Sequence, residues 1–96
     1  MIPFAEIETP VLLLDEMRMD RNIARMRARV ETQGVAFRPH LKTSKCIEVA
    51  RRLTAGPSGA VCVSTLKEAE FFFGHGYTDV LYAVGITPSK LEHVAE

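Results

Sequence analysis

The stretch Arg38-Pro39-His40-Leu41-Lys42-Thr43-Ser44-Lys45 carries most of the chain's potential chemistry. An amine must be neutral to attack an aldehyde, and a free lysine pKa of about 10.4 leaves little neutral amine at pH 7. Burial, or a second cation nearby, lowers that pKa and makes the amine a nucleophile. Lys42 has two such neighbours at hand, His40 before it and Lys45 after it. Position alone equally allows Lys42 to be a surface lysine in a loop. His40 could stack on a cofactor ring or tune Lys42; it could also be a packed, hydrogen-bonded histidine. Arg38 could orient the lysine region, but pairing with a core acid is the plainer reading. Lys45 is expected to face solvent at a helix start.

The elements that must position these groups can be read from periodicity and punctuation. Val35-Ala36-Phe37 reads as a strand running into the Arg38–Lys42 stretch. Alternate residues of a strand share a face, so Val35, Phe37 and Leu41 are expected against helices, with Ala36, Arg38, His40 and Lys42 opposite. Parallel strands are normally apolar on both faces, so three polar residues on one of them is unusual. Barrel folds gather their active sites at the C-terminal ends of strands, where Lys42 would lie. A helix is expected from about Ser44 to Leu53, then a turn cluster Gly56-Pro57-Ser58-Gly59 and a strand Ala60–Val63. Thr65, with Glu68 three residues on, matches a capping box that opens a helix to about Phe73. Ser64 and Thr65 end their strand at the same mouth as Lys42, where their hydroxyls could touch a ligand. Gly74-His75-Gly76 breaks the helix, Val80–Val84 reads as a strand, and Thr87-Pro88 as N-cap and N1 of a helix Ser89–Glu96. His75 and His93 are expected on the surface.

Upstream, Thr9-Pro10 precedes Val11–Leu14, expected as a short buried strand, and Asp15 is a plausible N-cap. A helix from Glu16 to about Gln33 carries an apolar stripe at Met19, Ile23, Met26 and Val30, and Gly34 stops it. Strand and helix then alternate at βα spacing, which implies parallel strands with crossover helices: an α/β chain, the opening units of a (β/α) barrel. So few units cannot close a barrel, and a parallel sheet needs cover on both faces. The chain is therefore expected to be an incomplete part of a larger protein.

Composition narrows the functional classes. Twelve bases balance twelve acids, so nothing electrostatic argues for nucleic acid or an anionic membrane. The bases from Arg18 to Arg29 interleave with other residues and read as a solvated helix face. Cys46 and Cys62 fit no metal-ligand pattern and no disulfide framework, so a reducing cytoplasm is the default expectation. No apolar run could span a bilayer, no basic segment precedes an apolar one as in a secretory signal, and no Gly-rich phosphate loop is present.

Taken in order, Thr9-Pro10-Val11-Leu12-Leu13-Leu14-Asp15, Arg21-Asn22-Ile23 and the Pro39-His40-Leu41-Lys42-Thr43 core resemble the start of the D-threonine aldolase family. That family includes eukaryotic-type D-serine dehydratase and D-threo-3-hydroxyaspartate dehydratase. Val63–Glu70 and Asp79–Val84 continue the likeness. The resemblance implies a fold-type III pyridoxal phosphate enzyme, with an alanine-racemase-like barrel followed by a β-rich domain, and residues 1–96 forming the N-terminal part of that barrel. It implies that Lys42 is the Schiff-base lysine; His40 and Thr65 are candidates for further cofactor contacts by their position alone. The activity implied is a lyase acting on D-β-hydroxy amino acids, by aldol cleavage or dehydration, in a protein expected to be a homo-oligomer when complete. A divalent metal is implied as Lewis acid, with its ligands outside this chain. The isolated chain is then expected to hold pyridoxal phosphate weakly and to be catalytically inactive. Two other readings stay open: a pyridoxal phosphate carrier without turnover, and a Schiff-base aldolase that needs no cofactor.

Overall fold

Helix α1 (Glu16–Thr32) begins where a cap allows it to, the Asp15 carboxylate accepting from the Arg18 N–H at 3.0 Å. The computed structural model describes residues 2–56 and 59–96, so Pro57 and Ser58 of the expected turn cluster lie outside the described residues. At the other end Gly34 takes φ +68. Its N–H bonds Glu31 O at 3.0 Å and the Val35 N–H bonds Val30 O at 3.4 Å, which satisfies two terminal carbonyls. The expected apolar stripe is corrected at one position. Met19, Ile23 and Val30 are half-buried, but Met26 is exposed and Arg27 turns inward in its place. The reason is polar: Arg27 donates to the carbonyls of Leu53 at 2.6 Å and Arg52 at 3.2 Å, at the end of the neighbouring helix α2 (Ile47–Thr54). Arg52 in turn meets Glu16 and Asp20 on α1.

The sheet is smaller than expected. Strands β1 (Val61–Val63) and β2 (Val80–Tyr82) pair in parallel, Val61 beside Val80, Cys62 beside Leu81 and Val63 beside Tyr82. Helix α3 (Leu66–Gly74) joins them as a crossover. Segment 35–37 is not a strand; pairing there narrows to one parallel bridge between His40 and Cys62. Cys62 serves that side, its N–H on Pro39 O and its carbonyl on the Leu41 N–H, both at 2.9 Å. Val61 and Val63 serve the β2 side, bonding Asp79 and Ala83. The 39–41 segment, β1 and β2 thus lie side by side in chain order. Val11–Leu14 is not a strand either. A strand needs a neighbour to satisfy its backbone, and this run is exposed, Leu12 at 98%.

Pleat alternation separates two faces. Leu41, Val61 and Val63 point to the helices and form the core with Ile47 and Ala50 of α2 and Phe72 of α3. Tyr77 completes it, its ring edge-on to Phe72 and its hydroxyl 2.9 Å from that of Thr54. His40, Cys62 and Leu81 share the opposite face, by register. The expected split of Leu41 from His40 is therefore found. Smaller differences lie at the boundaries. The second helix starts at Ile47 and not Ser44, and β2 stops at Tyr82, short of Val84. The last helix divides into a 3-10 turn (Pro88–Lys90) and α4 (Leu91–Ala95), and the Thr87 hydroxyl bonds Ser89 rather than a helix N–H.

The radius of gyration is 16.0 Å, against about 12–13 Å for a compact chain of this length. The chain is extended, and Phe4, Leu12, Leu13, Met17 and Phe73 are all exposed. Such a density of exposed large apolar side chains is uncommon on a self-contained monomer. No helix among the described residues is long and apolar enough to cross a membrane.

Candidate active site

Lys42 is placed by a turn and not by a strand. The pairing ends at Leu41, and residues 42–44 form a turn closed by the Lys45 N–H on Leu41 O at 3.0 Å. This corrects the expected strand alternation through Lys42, since the pleat ends before it. The turn is anchored on both sides, by fully buried Leu41 and by buried Ile47. Between them Lys42, Thr43, Ser44 and Lys45 are exposed. The Lys42 N–H donates to His40 Nδ1 at 3.2 Å, so the histidine contacts the backbone of the lysine. No hydrogen bond or ion pair engages the Lys42 amine among the described residues.

Lys45 takes φ +45. For an L-residue this left-handed conformation costs roughly 1–2 kcal/mol, so it persists where surrounding contacts impose it. Nothing in the residue type signals it, because lysine is not a residue that favours this region.

The other strand end at the same level is β1's. His40 pairs with Cys62, two residues before Ser64, and Lys42 follows His40 by the same number in the turn that ends the pairing. Thr65 behaves as its spacing with Glu68 predicts. Its Oγ1 accepts from the Glu68 N–H at 3.0 Å and donates to the Glu68 carboxylate at 2.5 Å. The Ser64 hydroxyl donates to the same carboxylate at 3.0 Å. Thr65 is therefore occupied in capping α3. Glu68 is buried, and burial by itself would raise its pKa. Hydrogen bonds from Thr65 and Ser64, with the charge of Lys45, more than offset this and hold it below the ordinary 4.5. Sequence reasoning saw Glu68 only as half of a capping box; its burial depends on α3 packing, which the spacing does not encode.

Arg38 is not brought to Lys42. It reaches across the N-terminal ends of the strands, donating to Val61 O at 3.0 Å and Asp79 O at 3.2 Å and pairing with the Asp79 carboxylate at 2.7 Å. An acid partner was the plainer expectation, but this one is half exposed and not in the core. His75 bonds Phe71 O in the turn after α3, and His93 pairs with Glu70, both on the surface as expected. Cys46 and Cys62 are free thiols. Among the described residues no three His, Cys, Asp or Glu side chains converge as metal ligands.

The arrangement offers an amine at the C-terminal end of parallel segments, fixed through its backbone and open at its side chain. That is an amine open to condensation with an aldehyde. No family model matches the chain. Curated relatives do. The chain is 52% identical over 85 residues to D-threo-3-hydroxyaspartate dehydratase of Delftia sp. (strain HT23), covering 88% of this chain and 22% of that protein. It is 36% identical over 90 residues to D-threonine aldolase of Arthrobacter sp, covering 93% and 24%. It is 34% identical over 91 residues to D-serine dehydratase of Dictyostelium discoideum, covering 90% and 23%. The solved structure of the Delftia dehydratase superposes with a TM-score of 0.89 at 49% identity, over 94% of this chain and 24% of that one. A metal-free form of a variant of that enzyme matches equally well. The chain spans about a quarter of the length of these relatives.

Proposed function

We propose that this chain, a homologue of D-threo-3-hydroxyaspartate dehydratase, D-threonine aldolase and D-serine dehydratase over about a quarter of their length, carries the cofactor lysine of a pyridoxal phosphate-dependent lyase. The substrates of that lyase are D-β-hydroxy amino acids. The observation that carries this reading is the Lys42 amine itself, free at its tip and held at its backbone by His40 and by the Leu41–Lys45 turn. The side-by-side order of the 39–41 segment, β1 and β2 supports the first units of a barrel, in which residues 1–96 supply the N-terminal part of the domain.

The cofactor fits the residues present. Lys42 would hold it covalently through the amine, and His40, exposed on the face it shares with Cys62 and Leu81, would be the side chain at hand to contact its ring. Bound pyridoxal phosphate supplies an electron sink for carbanion chemistry at the substrate's α-carbon. The Lys42 amine would be the group at hand to hold or move a proton at that carbon. Thr65 lies beyond the end of β1, and its hydroxyl is spent on Glu68. The described residues do not assemble a metal site, and no step is assigned to one. The two free thiols accord with a reducing compartment such as the cytoplasm. The exposed apolar surface accords with burial against further chain or a second copy in a homo-oligomer.

The test is trapping. Incubation of the full chain with pyridoxal phosphate, borohydride reduction and peptide mass spectrometry should place the phosphopyridoxyl group on Lys42. Lys42→Ala should lose the adduct. An adduct spread over Lys45, Lys67 and Lys90 with Lys42 unmarked would refute the assignment.

A further inference from the structure

The pairing beside β1 ends one residue too early to serve Lys42. Leu41 gives its N–H to Cys62 O at 2.9 Å, the last bond between that segment and β1. Lys42 comes next, and its N–H has no strand to meet. It donates instead to His40 Nδ1 at 3.2 Å, two residues back along its own chain. Asparagine and aspartate make the same connection in an Asx turn, where a side-chain acceptor takes the N–H two residues on. Here an imidazole nitrogen does so, and the bond decides where the ring carries its hydrogen. A neutral imidazole has one donor nitrogen and one acceptor, whereas a backbone N–H can only donate. With Nδ1 accepting, the single ring hydrogen sits on Nε2. The other tautomer, or the imidazolium, would set two N–H donors head to head at this distance. Among the described residues Nε2 has no hydrogen-bond partner, and His40 is exposed on the face it shares with Cys62 and Leu81.

We propose that His40 is a positioning residue for Lys42 and acts as one fixed tautomer: bare Nδ1 holds the backbone of the lysine, and Nε2–H, across the ring, is left as a donor. The inference rests on the function proposed above for the ligand of that donor, and on the His40–Lys42 bond alone for the tautomer. An Nε2–H suits an oxygen acceptor on the cofactor. It has no lone pair with which to take a proton from a substrate, so that work is left to the Lys42 amine. The histidine of the Pro39-His40-Leu41-Lys42-Thr43 core is thereby assigned to aiming the lysine and not to acid–base chemistry.

Asparagine and glutamine separate the two ring nitrogens. His40→Asn sets its Oδ1 as many bonds from the backbone as Nδ1 is, so the Lys42 N–H keeps an acceptor, whereas His40→Gln carries its oxygen one carbon further out. In the full chain, protection of the Lys42 amide from hydrogen exchange should fall about fivefold in His40→Gln, the worth of one ordinary hydrogen bond, and hold in His40→Asn. The Leu41 amide, bonded to Cys62 O, should change in neither. Long-range proton–nitrogen NMR of the unaltered chain should show Nδ1 as the bare nitrogen of His40, coupled across the hydrogen bond to the Lys42 amide nitrogen. Borohydride-trapped pyridoxal phosphate on Lys42 should be lower in His40→Gln than in His40→Asn by the same factor as the protection. A hydrogen on Nδ1 would overturn the proposal. So would equal losses of Lys42 protection in the two variants, or a loss shared by the Leu41 amide, which would make His40 a strand-packing residue only. Where the unaltered chain is trapped, equal yields from the two variants would also overturn it. If the unaltered chain takes no cofactor on Lys42 while the amide protection follows the acceptor, the tautomer stands and the cofactor reading is what fails.

Discussion

Arg38 and Asp79 meet at 2.7 Å across the strand between them, so one guanidinium joins the 38–41 segment to the start of β2 while also donating to Val61 of β1. The carboxylate is mostly exposed, and an exposed ion pair contributes about 0.2–1 kcal/mol. The bond to Val61 O is part-buried, and no other side chain is there to replace Arg38 on it. Asp79→Asn should therefore cost well under 1 kcal/mol, and Arg38→Ala about 1–2 kcal/mol, measured by urea unfolding. Equal costs for the two would mean that the ion pair, and not the carbonyl bonds, sets the strand ends together.

The capping box gives a second prediction. Thr65 holds the Glu68 N–H and its carboxylate at once, so Thr65→Ala should destabilise by about 1 kcal/mol in chemical denaturation, whereas Thr65→Ser should cost little. The pH dependence has a definite sign. The folded pKa of Glu68 lies below 4.5, so the folded state binds its proton more weakly than the unfolded state does. Stability from this group is present above the unfolded value and is lost as pH falls through the folded one. Between pH 5 and the acid transition, the slope of stability on pH should thus be shallower in Glu68→Gln than in the unaltered chain, with pH-dependent urea midpoints as the measurement. Identical slopes would remove Glu68 as a source of acid sensitivity.

Much of this was legible from residue types alone, and the omissions have a common cause. Asp15, Gly34, Thr65 and Glu68 announce their roles locally, because capping and left-handed glycine are decided within a turn of chain. The parallel order of the strands followed from their alternation with helices. What the sequence did not disclose depends on neighbours distant in the chain. Val11–Leu14 and Val35–Phe37 have strand composition, but a strand exists only beside another, and these runs lie unpaired. Arg27 displaced Met26 from the inner stripe because the end of α2 offers carbonyls there. Tyr77 drew no attention in a Gly-rich break, yet it is fully buried against Phe72. The motif around Lys42 was legible as chemistry. The left-handed Lys45 was not, since residue type carries no sign of it.

His93 supplies a prediction near neutrality. Its hydrogen bond to Glu70 ties α4 to α3, and that bond, with the charges of Glu70 and Glu96, raises its pKa above the ordinary 6.5 against a smaller opposing effect of desolvation. A raised folded pKa stabilises fully below the unfolded value, and that gain fades as pH rises through the folded one. The α4 tether should accordingly loosen as pH rises through the folded pKa, seen as falling protection of the α4 amides from hydrogen exchange relative to their intrinsic rates. Glu70→Gln should bring the NMR titration of His93 back toward 6.5 and abolish the difference. A titration unmoved by that substitution would show that Glu70 does not govern the tether.

The last prediction concerns the support behind the sheet. Thr54 ends α2 with its one hydroxyl proton in reach of two carbonyls, Ala50 O at 2.9 Å and Gly56 O at 2.7 Å, while its oxygen can accept from the buried Tyr77 hydroxyl at 2.9 Å. Gly59 passes so close that a Cβ there would lie 2.4 Å from the Thr54 Cβ. Neither the helix end nor the strand entering at Val61 can move away freely, because Ala50 and Val61 are both fully buried. Gly59→Ala should thus destabilise by about 1–3 kcal/mol, as overpacking does, and Tyr77→Phe by about 0.5–1.5 kcal/mol through the lost hydroxyl. Combining Gly59→Ala with Thr54→Ser, which removes the methyl group 3.1 Å from the new carbon but keeps the hydroxyl, should recover part of the loss. The recovery would appear as a negative interaction energy in a double-mutant cycle by thermal or urea unfolding. Strict additivity would place the strain elsewhere in the turn and free Thr54 of any role in setting the approach of β1.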